Sequence, residues 1–188
     1  MKTSKKDTRF MCLKRAKRIN PGEDIKCYKV VEVKPHGNSF RLASPYRDFT
    51  YIPGSKYTSL NWTETEEWGA RPGVDLRVNG GAYHSMADYA GVGAVIDDIA
   101  GQIINRTVEL AVIECTIPKT SREVYQGFYL SENGYASTEI HVDRVVPRQE
   151  LIDELIKNHR KFDYDRLTSV HHVYFPDIHI KSEEDVSE

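Results

Sequence analysis

The tripeptide Tyr83-His84-Ser85 has residue types and a position that could support chemistry. It follows a Gly-Gly pair that ends at Gly81, and it precedes a long apolar run with helical spacing. This pattern predicts that a helix begins near residue 86 with Ser85 as its N-cap. A helix N-terminus favours a bound anion, and an imidazole beside it could act as a general acid near neutral pH. We therefore take Gly81, Tyr83 and Ser85 as candidate ligand-binding residues and His84 as a candidate catalytic residue. The alternative is that His84 only packs against the turn.

A second candidate site lies in the alternating segment at 136–146, which predicts a strand. On such a strand the side chains of Ser137, Glu139 and His141 project from one face. Serine, glutamate and histidine together could form a wall of an active site, so Ser137 and Glu139 are candidate catalytic residues. The alternative is that this polar face is the solvent side of the sheet.

The segment HHVYFPDIH at 171–179 contains side chains of types that bind metal ions. Adjacent histidines on a strand point to opposite faces, and the spacing matches no standard zinc pattern, so we predict no metal site. The chain also lacks the Walker, Rossmann, GxSxG and HExxH motifs. The commonest nucleotide-binding, hydrolase and metalloprotease assignments are therefore excluded.

The elements that position these candidates are mostly strands. In IKCYKVVEVK at 25–34, apolar residues alternate and share one face that only Lys29 interrupts. The segment at 107–118 is apolar on both faces, which is typical of a strand in the middle of a covered sheet. SENGY at 131–135 predicts a turn, and SVHHVYF at 169–175 a last strand.

Two periodic segments predict helices at about 86–104 and 148–160. Gly91 and Gly93 each cost the first helix about 1 kcal/mol relative to alanine, so we expect it to pack closely against a sheet. Residues 45–82 are rich in glycine, proline and aromatic residues, and we expect either an ordered loop or a flap over a substrate. The fold class is α+β, with a mostly antiparallel or mixed sheet and two main helices.

Composition indicates one domain with charged ends. The chain has 188 residues and a net charge of −2. We predict a flexible basic arm at 1–9, a single α+β domain at 10–180 and an acidic disordered tail at 181–188. Three widely spaced cysteines predict buried free thiols in a reducing compartment, the cytoplasm, and no apolar run is long enough to span a membrane.

Several segments resemble a group of uncharacterised proteins from bacteriophages and gut bacteria. The similar motifs include CYKVV at 27–31, the Gly-aromatic-His-Ser junction GAYHS at 81–85, ECTIPK at 114–119 and the GYAS-containing segment at 125–146. They occur in the same order and, together with shorter matches, cover about two thirds of the chain. The resemblance implies a phage or bacterial origin, with the virion as an alternative location.

A more distant resemblance is to ADP-ribosyltransferases. These enzymes place an Arg, His or Tyr on an early strand, a Ser- or Tyr-centred motif on a middle strand and a glutamate on a later one. The resemblance implies such roles for Tyr28 or Lys29, for the junction at 83–85, and for Ser137 and Glu139. It would make Tyr28 a further candidate catalytic residue and NAD the cofactor, although the segment that carries Ser137 and Glu139 lacks the ExE pair of those enzymes.

Three functions are consistent with these patterns, and enzymatic activity stays open. The first is a phage or bacterial accessory protein that needs no cofactor and acts through protein–protein contacts or self-association, in the virion or on a host factor. The eleven tyrosines favour this function, because tyrosine is common at protein interfaces. The second is an ADP-ribosyltransferase-like enzyme that uses NAD or another nucleotide. The third is nucleic-acid binding through the basic residues at 2–18.

Overall fold

The strands of the protein follow the alternating segments of the sequence. The computed structural model describes residues 13–37, 39–46, 49–59, 66–67, 76–77, 82–103 and 106–178. Its strands are β1 (Lys14–Ile19), β2 (Ile25–His36), β3 (Ser39–Ala43), β4 (Thr50–Tyr51), β5 (Lys56–Thr58), β6 (Glu66–Glu67), β7 (Leu76–Arg77), β8 (Tyr83–Met86), β9 (Val108–Ile117), β10 (Val124–Tyr129), β11 (Glu132–Ser137), β12 (Glu139–Val145) and β13 (Val173–Tyr174). The predicted arm at 1–9 and tail at 181–188 lie outside the described residues, as does Gly81.

Most of these strands join one sheet in the order β1-β10-β11-β8-β2-β9-β12-β5. At its centre, β2 and β9 pair antiparallel from Ile25–Ile117 to Glu32–Leu110. The sheet is mixed, because β13 runs parallel to β9. As predicted, β9 is buried on both faces. The free thiols of Cys27 and Cys115 are also buried, and they lie opposite each other on β2 and β9.

The helices cover one face of this sheet. They are α1 (Tyr89–Gln102), α2 (Arg148–Asn158) and the short α3 (Tyr164–Ser169), which the sequence pattern did not predict. Buried residues of α1, such as Val92 and Ile96, belong to the same core cluster as Leu110 and Val112 of β9. The α+β class with two main helices is therefore confirmed. Within the described ranges, no helix combines the length and apolar character needed to cross a membrane.

The start of α1 differs from the sequence prediction. Asp88 is the N-cap, and its carboxylate accepts a hydrogen bond from the Gly91 N–H at 2.9 Å. The tripeptide at 83–85 instead belongs to β8, which pairs with β11 over four residue pairs. The prediction that Ser85 caps the helix was therefore wrong, because long-range strand pairing takes the residues that local spacing assigned to a helix start.

The two glycines of α1 lie at close contacts. A Cβ at Gly91 would meet the Met86 side chain at 2.5 Å, and a Cβ at Gly93 would meet the His159 ring at 2.4 Å. Gly91 therefore packs against the sheet, as expected. Gly93 packs against the end of α2 instead.

Aromatic side chains fill the face of the sheet opposite the helices. Phe49, Tyr51, Tyr57 and Tyr83 form a chain of mostly edge-to-face contacts. The ring centroids of Tyr57 and Tyr83 are 6.3 Å apart, although three strands separate β5 from β8 in the sheet order. The sheet therefore curls so that its edge strand β5 approaches β8 around this core.

The segment at 131–146 also differs from its prediction. The turn lies at Leu130 and Ser131, both with positive φ, and the predicted turn residues that follow belong to β11. Thr138 then separates β11 from β12. Ser137 and Glu139 therefore lie on two strands and do not share one strand face, because the chain changes sheet partners between them.

Candidate functional site

A gap in the sheet lies between β2 and β8. The two strands share one bridge, Tyr28–Met86. If that antiparallel register continued, Val30 would lie opposite His84, but the pairing ends at the first bridge. A cavity of about 60 Å³ occupies the place where the strands separate.

The walls of this cavity combine polar and apolar groups. Met86 and Val95 contribute apolar surface from β8 and α1. The polar and aromatic lining residues are Tyr28, Lys29, Ser44, Tyr46, Tyr51, His84 and Ser85. Apolar and aromatic walls with a few convergent polar groups are typical of small-molecule sites, although this cavity is smaller than most of them.

Lys29 spans the gap from β2 to β8. Its ammonium donates a hydrogen bond to the main-chain carbonyl of His84. It also lies 5.2 Å from the centre of the Tyr51 ring, within the range of a cation–π contact. A side-chain donor therefore reaches the carbonyl that the β2 main chain would reach in a continuous ladder.

Ser85 lies deeper in the same site and is 1% exposed. Its hydroxyl has no hydrogen bond of ordinary geometry to any described residue. The neighbouring Cys27 thiol is nevertheless within hydrogen-bonding reach of this hydroxyl: burial raises the pKa of the thiol to about 12, and the hydrogen bond with Ser85 acts in the opposite direction. Cys27 is therefore a neutral thiol, and thiols are weak hydrogen-bonding partners for a hydroxyl.

Tyr46 closes one side of the cavity. Its hydroxyl donates to the Asp98 carboxylate at 3.3 Å, and the Tyr129 hydroxyl donates to the same oxygen at 2.9 Å. Burial, together with Tyr129 and Asp98, raises the pKa of Tyr46, so the phenol stays protonated. These bonds tie the segment after β3 to α1.

On the helix-facing side, Tyr28 separates the cavity from a surface network of charges. Its ring lies 4.6 Å from that of Tyr89. Beyond the Tyr28 ring, the Glu114 carboxylate forms ion pairs with Lys26 at 2.8 Å and with Arg144 at 3.0 Å. Arg144 also pairs with Glu150 at 2.6 Å. Burial raises the pKa of Glu114, but the hydrogen bonds and charges of Lys26 and Arg144 outweigh it and bring the pKa below its ordinary value.

The structure brings together some of the predicted site residues and separates others. Tyr28, His84 and Ser85 line the cavity. Tyr83 instead joins the aromatic core. Ser137 and Glu139 are absent from the cavity lining: the buried Ser137 hydroxyl donates to the Glu139 carbonyl at 2.6 Å, and Glu139 pairs with Thr58 on β5.

Sequence reasoning missed the wall residues Tyr46 and Tyr51, and it named Lys29 only as an alternative to Tyr28. Lys29 gave a signal, because it interrupts an otherwise apolar strand face. The two tyrosines lie in the loop-rich region and reach the cavity only through long-range packing. In the described part of the chain, no cluster of three or more His, Cys, Asp or Glu side chains could hold a metal ion.

No family model, curated protein or solved structure matches the chain.

Proposed function

We propose that the protein binds a small polar molecule in the gap between β2 and β8. The observation that carries this proposal is the single Tyr28–Met86 bridge, beyond which the strands separate around a cavity. Strands inside a sheet normally continue their ladder, because buried main-chain groups need hydrogen-bond partners. A ladder that stops at a polar cavity leaves room for a ligand to supply such partners.

The size of the cavity limits what can enter it. A volume of about 60 Å³ has room for a few water molecules or for one small polar group. A whole nucleotide is larger, so only one of its groups would enter while the rest lay outside. The site therefore suits a small metabolite, or one end of a larger one.

The proposal is tested by mapping amide chemical shifts of the ¹⁵N-labelled protein during titration with acetamide, acetate, inorganic phosphate and AMP. We expect at least one probe to shift the amides at 28–31 and 82–86 in a saturable way. In Ala82→Val, which adds bulk to a buried residue of the cavity wall, those shifts should weaken. Ala94→Val, at a half-buried α1 residue outside the lining, should leave them unchanged. If no probe shifts these amides, the proposal fails.

An NAD-using transferase is the second candidate, and its support is that Tyr28 and His84 share the cavity. The other two residues of that hypothesis, Ser137 and Glu139, lie outside it, so the geometry favours binding over transfer. The test is nicotinamide release from NAD by wild type and by His84→Ala. We expect none from either protein, whereas release that His84→Ala abolishes would favour the transferase.

The remaining functional expectations rest on other parts of the molecule. The large exposed apolar side chains include Ile52 on the segment after β4, Phe128 on β10, Ile156 on α2 and Val170 after α3. Single exposed apolar residues are normal on a protein surface and define no docking face. Most of the basic segment proposed to contact nucleic acid lies outside the described residues. Action through protein–protein contacts and binding of nucleic acid therefore both stay predictions.

A further inference from the structure

We infer that the ligand of the cavity carries an oxyanion, a carboxylate or a phosphate, which binds the ammonium of Lys29. This inference rests on the proposed binding function and adds the chemical class of the ligand. The cavity would hold the anionic group, and the rest of the ligand would extend outward past Tyr46.

No carboxylate among the described residues pairs with the charge of Lys29. The ion pairs of the described residues do not include Lys29. None of the residues that line the cavity is acidic. A half-buried cation without a counter-ion is costly, and an anionic ligand would remove that cost.

The donors of Lys29 are only partly used. An ammonium has three N–H groups, and one of them reaches the His84 carbonyl. The Tyr51 ring face is near the charge but accepts no conventional hydrogen bond. Donors therefore remain for a ligand oxygen.

Ser85 supplies an independent indication. Its hydroxyl is almost fully buried, lines the same cavity and makes no hydrogen bond of ordinary geometry to the described residues. Buried hydroxyl groups nearly always have a good partner, and the Cys27 thiol beside this one is a weak partner. A bound oxygen atom would be a stronger one. A hydroxyl and an ammonium that line the same cavity can both donate hydrogen bonds to the oxygens of a carboxylate or phosphate.

Lys26 shows what a satisfied lysine looks like on the same strand. Its ammonium lies 2.8 Å from the Glu114 carboxylate and outside the cavity. β2 also holds Lys34, which pairs with Glu32 at 3.2 Å. The contrast with these two lysines indicates that the missing carboxylate partner of Lys29 is not a general property of this strand.

The test compares acetate with acetamide, which have the same heavy-atom count and differ in charge. Dissociation constants come from the amide shifts at 28–31 and 82–86, at constant ionic strength. We expect acetate to bind about tenfold more tightly than acetamide or better, because hydrogen bonds to charged groups are the stronger ones. Inorganic phosphate forms a third arm that separates a phosphate site from a carboxylate site.

Variants assign the preference to its residues. Lys29→Met should reduce the ratio between acetate and acetamide to about one, whereas Lys56→Met, at an exposed lysine of β5, should leave it unchanged. Ser85→Ala should weaken acetate about threefold or more without unfolding the protein, which keeps the test decisive if Lys29→Met does not fold. Equal affinities of wild type for acetate and acetamide would overturn the inference. The same holds for an acetate preference that survives in Lys29→Met or is unchanged in Ser85→Ala. Each of these results would leave the proposed binding site standing. No response of these amides to any probe would overturn both.

Discussion

The ammonium of Lys29 donates a hydrogen bond to the main-chain carbonyl of His84, across the gap between β2 and β8. One bridge away, Tyr28 and Met86 still pair as ordinary strand neighbours. Within two residues the sheet therefore changes from main-chain pairing to a side-chain contact. This change opens the cavity and places a positive charge on its wall.

Replacing Lys29 separates its role in stability from its role in binding. In Lys29→Met, the loss of the bond to His84 is opposed by the removal of a half-buried charge without a counter-ion, so we expect the free energy of unfolding to change by less than about 1 kcal/mol. Urea denaturation of wild type, Lys29→Met and the surface control Lys56→Met measures this. A loss above about 3 kcal/mol in Lys29→Met alone would identify Lys29 as a structural residue.

The N-cap of α1 can be tested with a matched pair of alanine variants. Asp88→Ala removes the acceptor of the Gly91 N–H, and we expect it to lower the free energy of unfolding by about 1 kcal/mol. Ser85→Ala removes a buried hydroxyl whose only described partner is the weakly bonding Cys27 thiol, so it should be neutral or slightly stabilising. Chemical denaturation distinguishes the two, and the reverse order would restore Ser85 as the cap.

The close approach of α1 to the end of α2 makes Gly93 sensitive to substitution. Gly93→Ala places a Cβ 2.4 Å from the His159 ring, so we expect it to destabilise the fold by about 1–3 kcal/mol despite the better helix propensity of alanine. Gly101 on the same helix has open space around a Cβ, so Gly101→Ala should stabilise by about 0.5–1 kcal/mol. Thermal unfolding of both variants tests this contrast. Stabilisation by both substitutions would show that the two helices are not in contact at Gly93.

The network around Arg144 predicts how stability depends on acid. A hydrogen bond from Arg144 holds the pKa of Glu150 below its ordinary value of 4.5, and Lys26 and Arg144 together lower that of Glu114 despite its burial. A carboxyl whose folded pKa is lowered stabilises the protein above its unfolded pKa. That contribution is lost as the pH falls through the folded value. Wild type should therefore lose stability as the pH falls below about 4.5.

Arg144→Met should remove part of this dependence. We expect it to cost about 1 kcal/mol at neutral pH and progressively less in acid, since the charges are partly exposed and screened. Lys157→Met, which breaks an exposed pair with Glu154 at 3.7 Å, is the control. It should change neither the free energy of unfolding at neutral pH nor its dependence on acid. Urea midpoints measured across this pH range report both effects. An acid dependence identical in wild type and Arg144→Met would contradict the assignment.

Local patterns in the sequence predicted the α+β class, the central strand β9 and both main helices. They were wrong at 83–86, because Ser85 and Asp88 have the spacing of a capping box while strand pairing with β11 depends on residues about 50 positions away. The break at Thr138 was missed for the same reason. Lys29 was visible as a charge on an apolar face, but Tyr46 reaches the cavity through its contact with α1 and Tyr51 through the pairing of β4 with β3.

A crystal structure of the protein soaked in sodium acetate tests the gap as a ligand site most directly. The predicted result is one Tyr28–Met86 bridge between β2 and β8, with a carboxylate oxygen of acetate within hydrogen-bond distance of Lys29 Nζ and the other oxygen near Ser85. Continuous pairing of Val30 with His84, or acetate bound at surface lysines while the cavity holds none, would contradict it.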